Sequence, residues 1–150
     1  MALKARIKDE MKAALLSGDR FVGETLRNLT AAILDEEVKL DKRDEGLSDE
    51  EIEKVVAREV KKRNESAKIY RDNNRPDLAE PEEREIEILQ AYLPKQLDET
   101  ELVAIIEAKI AELSVTGPQA MGQVIGAVKK QVGNAADGAA IARIVKQKLD

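Results

Sequence analysis

Glu82, Glu83, Glu85 and Glu87 place four carboxylates in one short stretch. Clustered carboxylates are what a hard cation or an acid–base pair requires. On a helix, Glu83 and Glu87 share a face and Glu82 and Glu85 lie beside it. A cation would need further ligands from elsewhere in the chain, so the expected role is plainer: acids near a helix start, favoured by the macrodipole. Ser17, Ser48, Ser66 and Ser114 are candidate nucleophiles without a base, because the chain has no His. Their positions suit caps and helix surfaces. The absence of Cys excludes disulfides and thiolate metal sites. Without His the commonest general base and transition-metal ligand are also missing. No metal or cofactor is expected, and an enzyme is the least favoured of the functional readings.

Cations are the other chemical resource. Arg58 to Arg75 holds seven basic and three acidic residues, locally +4. Arg58, Lys61, Lys62 and Arg63 lead this run, followed by Lys68 and Arg71, and could track a phosphate backbone. The competing reading is a solvated helix face on which Glu59 and Glu65 pair at i,i+3 and i,i+4. A second group, Lys129, Lys130, Arg143, Lys146 and Lys148, gives residues 129–150 five basic against two acidic, locally +3. Its competing reading is Lys complementing the C-terminal ends of helix dipoles. The halves differ: residues 1–93 hold 18 basic and 23 acidic side chains, net −5, and residues 94–150 hold seven of each. Such a chain is no general nucleic-acid coat, and no DNA partner is expected. One face could still engage a shaped RNA.

Positioning these groups falls to helices. Apolar residues are 43% but aromatics only 2%, so the core must be Leu, Ile, Val and Ala. Charged residues are 37%, proline is scarce before Pro76, and no period-2 alternation is long enough for a sheet. The spacing predicts an all-α fold: an N-terminal bundle of about four helices over 1–93, then a three-helix domain over 94–150. A first helix over 2–17 turns Leu3, Ile7, Met11 and Ala14 or Leu15 inward. Asp19 caps a second, with Val22, Leu26, Leu29 and Ile33 inward, reaching toward Leu40. Ser48 and Glu51 form a capping box for a third, which buries Ile52, Val55, Val56, Val60, Ala67 and Tyr70 and runs toward Asn73. Arg75-Pro76 breaks it. A fourth helix carries Ile86, Leu89 and Leu93; Pro81 is either its first-turn residue or an early kink, and Pro94 ends it. Tyr92 is expected partly buried at the junction. Asp98 and Glu101 cap a fifth, with Leu102, Ile105, Ile106, Ile110 and Leu113 inward.

The last stretch is a helix, a glycine loop and a second helix. Thr116-Gly117-Pro118 is a start signal. Met121, Val124, Ile125, Val128 and Val132 form an apolar face. Gly122 and Gly126, four apart, suggest close approach of another backbone, since each costs about 1 kcal/mol against Ala. Gly133 stops the helix, Asn134-Ala135-Ala136 turn, and Asp137 is placed to cap a final helix with Ile141, Ile144, Val145 and Leu149 inward.

Met121-Gly122, Gly126, Lys129-Lys130, Gly133, Ala136-Asp137-Gly138, Val145-Lys146 and Leu149 resemble the GatB/YqeY family. That family covers the tail domain of the B subunit of tRNA-dependent amidotransferase and free-standing proteins of YqeY type. Tyr92-Leu93-Pro94-Lys95-Gln96-Leu97 and Arg75-Pro76-Asp77-Leu78-Ala79 extend the resemblance over nearly the whole chain, as in the free-standing members. It implies an accessory module that binds tRNA, or a tRNA-handling protein, in tRNA-dependent amidation. The family's association with carbon–nitrogen ligase activity, glutamine being the amido-N donor, implies chemistry in other subunits. The implied tRNA-binding residues are Lys129, Lys130, Asn134, Arg143, Lys146 and Lys148. Many relatives carry Lys or Arg where Asn134-Ala135 fill a longer turn, so a cation is missing from the tip. The alternative is a protein–protein adaptor with no RNA role. With no signal-peptide core and no membrane-length apolar stretch, a cytoplasmic protein is expected.

Overall fold

The computed structural model describes residues 2–150, and among them it contains seven α-helices and no strand. They are α1 (Ala2–Leu16), α2 (Arg20–Lys39), α3 (Asp49–Asp72), α4 (Pro76–Gln90), α5 (Glu99–Leu113), α6 (Met121–Val132) and α7 (Gly138–Leu149). The chain divides into two compact units, one ending at Leu93 and one running from Pro94 to Asp150.

In the first unit α1 packs on α2 and α3 on α4, with α2 also meeting α3 and α4. The core is aliphatic: Ile7, Leu26, Leu29, Ile33, Ile52, Val55, Val56, Ile86 and Leu89 are all buried in it. Asp19 caps α2, accepting from the Val22 N–H at 3.2 Å. The start of α3 is built twice over. Ser48 Oγ accepts from the Glu51 N–H and the Glu51 carboxylate accepts from the Ser48 N–H, completing the box. Leu47, before the cap, and Ile52, in the next turn, are both 0% exposed, the arrangement of a hydrophobic staple. Leu47 was not singled out in the sequence, where it is a lone apolar residue in a charged loop. Tyr92 is buried in this unit's core; its hydroxyl donates to Glu10, and the Arg6 guanidinium lies 4.8 Å from its ring centroid. Glu37, 1% exposed, is held by Lys4.

Of the two readings of Pro81 the structure bears out the second, a residue inside α4, and the helix ends earlier than expected. Pro76 occupies its first turn and Pro81 lies inside it, so the four Glu residues sit in mid-helix, away from the N-terminal dipole. Two of them have a different purpose: Glu83 binds Arg71 at 2.9 Å and Glu85 binds Arg63 at 2.6 Å, tying α4 to α3. At the other end the helix stops at Gln90, before Pro94, because Tyr92 and Leu93 turn back onto Leu89 and Gln90 carbonyls.

The second unit packs α5, α6 and α7 mutually around Leu102, Ile106, Val124, Val128, Ile141, Ile144, Val145 and Leu149. Asp98 and Glu101 form a second complete capping box. A short 3-10 turn, Pro118–Ala120, precedes α6. The close approach expected at Gly122 and Gly126 does not occur. A Cβ at either position would meet nothing within 4 Å, because both lie on the exposed face, away from Val124 and Val128.

Gly122→Ala and Gly126→Ala are therefore each expected to stabilise the protein by about 0.4–1 kcal/mol through the unfolded state, read as a raised midpoint in urea unfolding; destabilisation by either would restore a packing role. A second expectation concerns acid. The Lys42 ammonium, and after it the Ser48 N–H, hold the Glu51 carboxyl down to about 2, against roughly 4.3 when unfolded. A depressed folded-state pKa contributes stability that is full above the unfolded value and is lost as pH falls toward 2. Thermal melts should show Glu51→Gln less stable than wild type at pH 6, with the gap closing toward pH 2. A gap independent of pH would contradict the assignment.

Candidate nucleic-acid interface

The turn between α6 and α7 is fixed by backbone bonds before any charge is considered. Gly133 takes φ +56°, a left-handed value that suits glycine, and its N–H closes α6 onto the Lys129 carbonyl. Residues 133–135 form a 3-10 turn and Ala136 is extended. The Leu97 N–H donates to the Ala135 carbonyl at 2.8 Å, and the Gln96 side-chain amide donates to the Asn134 carbonyl at 2.9 Å. Leu97 also packs against the unit's core. The segment before α5 thus pins the turn, a role for Gln96 and Leu97 that periodicity does not reveal.

Asp137 stands at the N-cap of α7, as expected, but its side chain makes no capping bond. Gly138 has a neighbour: a Cβ there would lie 3.3 Å from Lys129 Cε and 3.4 Å from its Nζ. The Lys129 side chain thus reaches across to the start of α7, and the missing Cβ leaves room for it.

The candidate cations separate into distinct groups. Lys129 and Lys130 are exposed in the last turn of α6, beside the pinned turn, and no ion pair engages them among the described residues. Arg143 and Lys148 are committed to α5, Arg143 binding Glu99 at 2.8 Å and Lys148 binding Glu107 at 2.7 Å. Lys146 is exposed and unpaired among the described residues. It lies eight residues beyond Gly138 on α7, about 12 Å along the axis at 1.5 Å per residue. The turn itself therefore offers two lysines rather than the whole set.

The α3 run is largely neutralised in place. Arg58 binds Glu36 at 2.8 Å, Lys62 binds Glu59 at 3.1 Å, and Arg63 bridges Glu59 and Glu85. Farther along, Lys68 pairs with Asp72, Arg71 with Glu83 and Arg75 with Asp77. Of the first four, Lys61 alone lacks an ion pair among the described residues. Burial opposes the Arg63 charge, yet Glu85 and Glu59 raise its pKa above the ordinary value. Neighbouring Glu82 is shifted up, first by burial and then by the Glu85 charge. Among the described residues no group of His, Cys, Asp and Glu has the arrangement to hold a metal ion. No described helix is long and apolar enough to cross a membrane.

The family model for YqeY-like proteins matches residues 4–149. Among similar proteins, altered inheritance of mitochondria protein 41, mitochondrial, of Eremothecium gossypii is 34% identical over 115 residues, covering 75% of this chain and 61% of the relative. The protein of that name in Lachancea thermotolerans is 30% identical over 116 residues, 76% of this chain and 61% of its own length. Its counterpart in Kluyveromyces lactis is 28% identical over 127 residues, 80% and 68% respectively. The chain thus spans about three-fifths of the length of the first two. With a match running nearly end to end across both units, this chain belongs to the YqeY-like family.

Proposed function

We propose that this chain is a non-catalytic accessory module of YqeY type that binds tRNA, or a protein that handles tRNA, through the α6–α7 turn. One observation carries the reading: Lys129 and Lys130 stand exposed and, among the described residues, without carboxylate partners beside a turn fixed by Gln96 and Leu97, whereas Arg58, Lys62 and Arg63 are each tied to a Glu. A cation already paired must give up a partner to bind phosphate; an unpaired one releases only water and counterions. The unit's exposed side chains offer Lys and Arg without Phe, Tyr or Trp, so contacts are to phosphate rather than by stacking. The setting proposed is tRNA-dependent amidation, with the bond-making in other subunits, in the cytoplasm. The mitochondrial location in the relatives' names is theirs.

We further infer that the two units are separate domains, a four-helix bundle over 1–93 and a three-helix domain over 94–150. The second has its own core and its own capped first helix. A fragment of residues 94–150 is expected to be helical and to melt cooperatively by circular dichroism, with marginal stability at that size. An unfolded fragment beside a folded full-length chain would refute the division.

Filter binding of tRNA at two salt concentrations tests the RNA reading. Wild type should bind weakly, with log K falling by roughly 0.7–0.9 per log salt for each phosphate contact. Lys129→Glu with Lys130→Glu should abolish binding without unfolding the chain, and Asn134→Arg should strengthen it. Equal affinity in all three proteins would exclude this surface and favour the adaptor reading.

A further inference from the structure

Residues 41–53 hold seven acidic and two basic side chains, net −5, which is the net charge of the whole chain. The other 137 residues balance at 23 acidic and 23 basic. The α2–α3 loop and the first turn of α3 are thus one of two strongly acidic segments of this protein; residues 77–87, with six acidic and one basic side chain, are the other. The α2–α3 loop is structurally fixed. Asp41 and Lys42 donate their N–H groups to the Val38 and Glu37 carbonyls, Gly46 to Lys42, and Leu47 is fully buried beneath. Lys42, one of the two local cations, is spent on Glu51 at 2.8 Å. Asp41, Asp44 and Glu45 are exposed.

Beside this loop the end of α2 shows an apolar surface to solvent. Leu34, Val38 and Leu40 are 44%, 59% and 45% exposed. Leu34 and Val38 share a face one turn apart, with exposed Ala31 a further turn back. Asp35 adjoins them and carries no ion pair among the described residues, while Glu36 and Glu37 are already bound by Arg58 and Lys4. Lys39 and Arg43 are the local opposing charges. Single exposed apolar residues mean little, but a group of them edged by charge of one sign marks a contact surface.

We propose that the end of α2 and the α2–α3 loop form a docking surface for a basic amphipathic helix of a partner protein, whose apolar face covers Ala31, Leu34 and Val38 while its cations meet Asp35, Asp41, Asp44 and Glu45. The sign of the charge selects this occupant. A surface edged by exposed Asp35, Asp41, Asp44 and Glu45 disfavours nucleic acid and anionic lipid alike. A metal ion is disfavoured because these carboxylates do not converge into a cation site. An amphipathic helix laid on an apolar strip, with its cations at the acidic edge, satisfies both halves of the surface. The proposal does not depend on RNA binding, which concerns the other unit.

The test uses the full-length chain and a fluorescent peptide with Leu at i, i+3, i+4 and i+7 and Lys elsewhere, titrated by anisotropy at low and high salt. Wild type should bind it, more weakly at high salt, and should not bind the peptide with Glu in place of Lys. Leu34→Ser with Val38→Ser, and separately Asp41→Asn with Asp44→Asn and Glu45→Gln, should each raise Kd roughly tenfold or more. Leu16→Ser, at an exposed leucine elsewhere in the unit, should change nothing. All substituted positions are exposed, and unchanged melting curves confirm the fold. No binding by wild type, or binding by both patch variants as tight as by wild type, would overturn the proposal. So would concentration-dependent dimerisation of wild type abolished by Leu34→Ser with Val38→Ser, since the occupant would then be a second copy.

Discussion

With one Phe, two Tyr and no Trp, this chain buries Leu, Ile and Val or it does not fold. Each such side chain contributes about 1.5–3 kcal/mol when fully buried, so burial must be gathered from many residues arranged on continuous helix stripes. That constraint sets the rest. Stripes of this kind need helices that begin at defined residues, since a shift of one position rotates the apolar face by about 100°. α3 and α5 meet the demand with complete capping boxes, Ser48 with Glu51 and Asp98 with Glu101. In α3 the Leu47 and Ile52 side chains anchor the same turn from the apolar side. Helix register, core and loop path are fixed together at these two points.

Polar groups are arranged around the stripes with unequal consequences. In the first unit, carboxylates on α2 and α4 reach cations of α3, so a run that reads as basic in sequence is largely paired in the fold. In the second unit, α5 draws off Arg143 and Lys148 but leaves Lys129 and Lys130 beside the turn. Ion pairs between exposed side chains contribute little to stability. Their larger effect here is on availability, deciding which cations an external phosphate meets unpaired.

The stripes were legible because burial imposes a period on the sequence. Ile141, Ile144, Val145 and Leu149 could be read inward from spacing alone, and all four are buried. What depends on a neighbour across space was not legible. Gly122 and Gly126 share a face at helical spacing, but spacing does not say whether that face meets protein or water. In the sequence the acids of α4 look like helix-start residues because Pro81 could open a helix as well as interrupt one; two of them, Glu83 and Glu85, pair with Arg71 and Arg63 on another helix. Asp137 reached its N-cap position without the bond that usually accompanies it. Leu47 carries no period at all. At the candidate site, the identity of the cations was readable and their division into paired and unpaired was not.

The proposed RNA-facing surface is the pinned turn at Gly133–Gly138, with Lys129 and Lys130. Amide chemical-shift mapping of the 15N-labelled full-length chain during titration with tRNA at low salt addresses it directly. The account predicts shifts confined to residues around 129–138, with the α3 amides near Arg58 to Arg63 unmoved. Shifts centred on α3, or none anywhere at saturating tRNA, would contradict it.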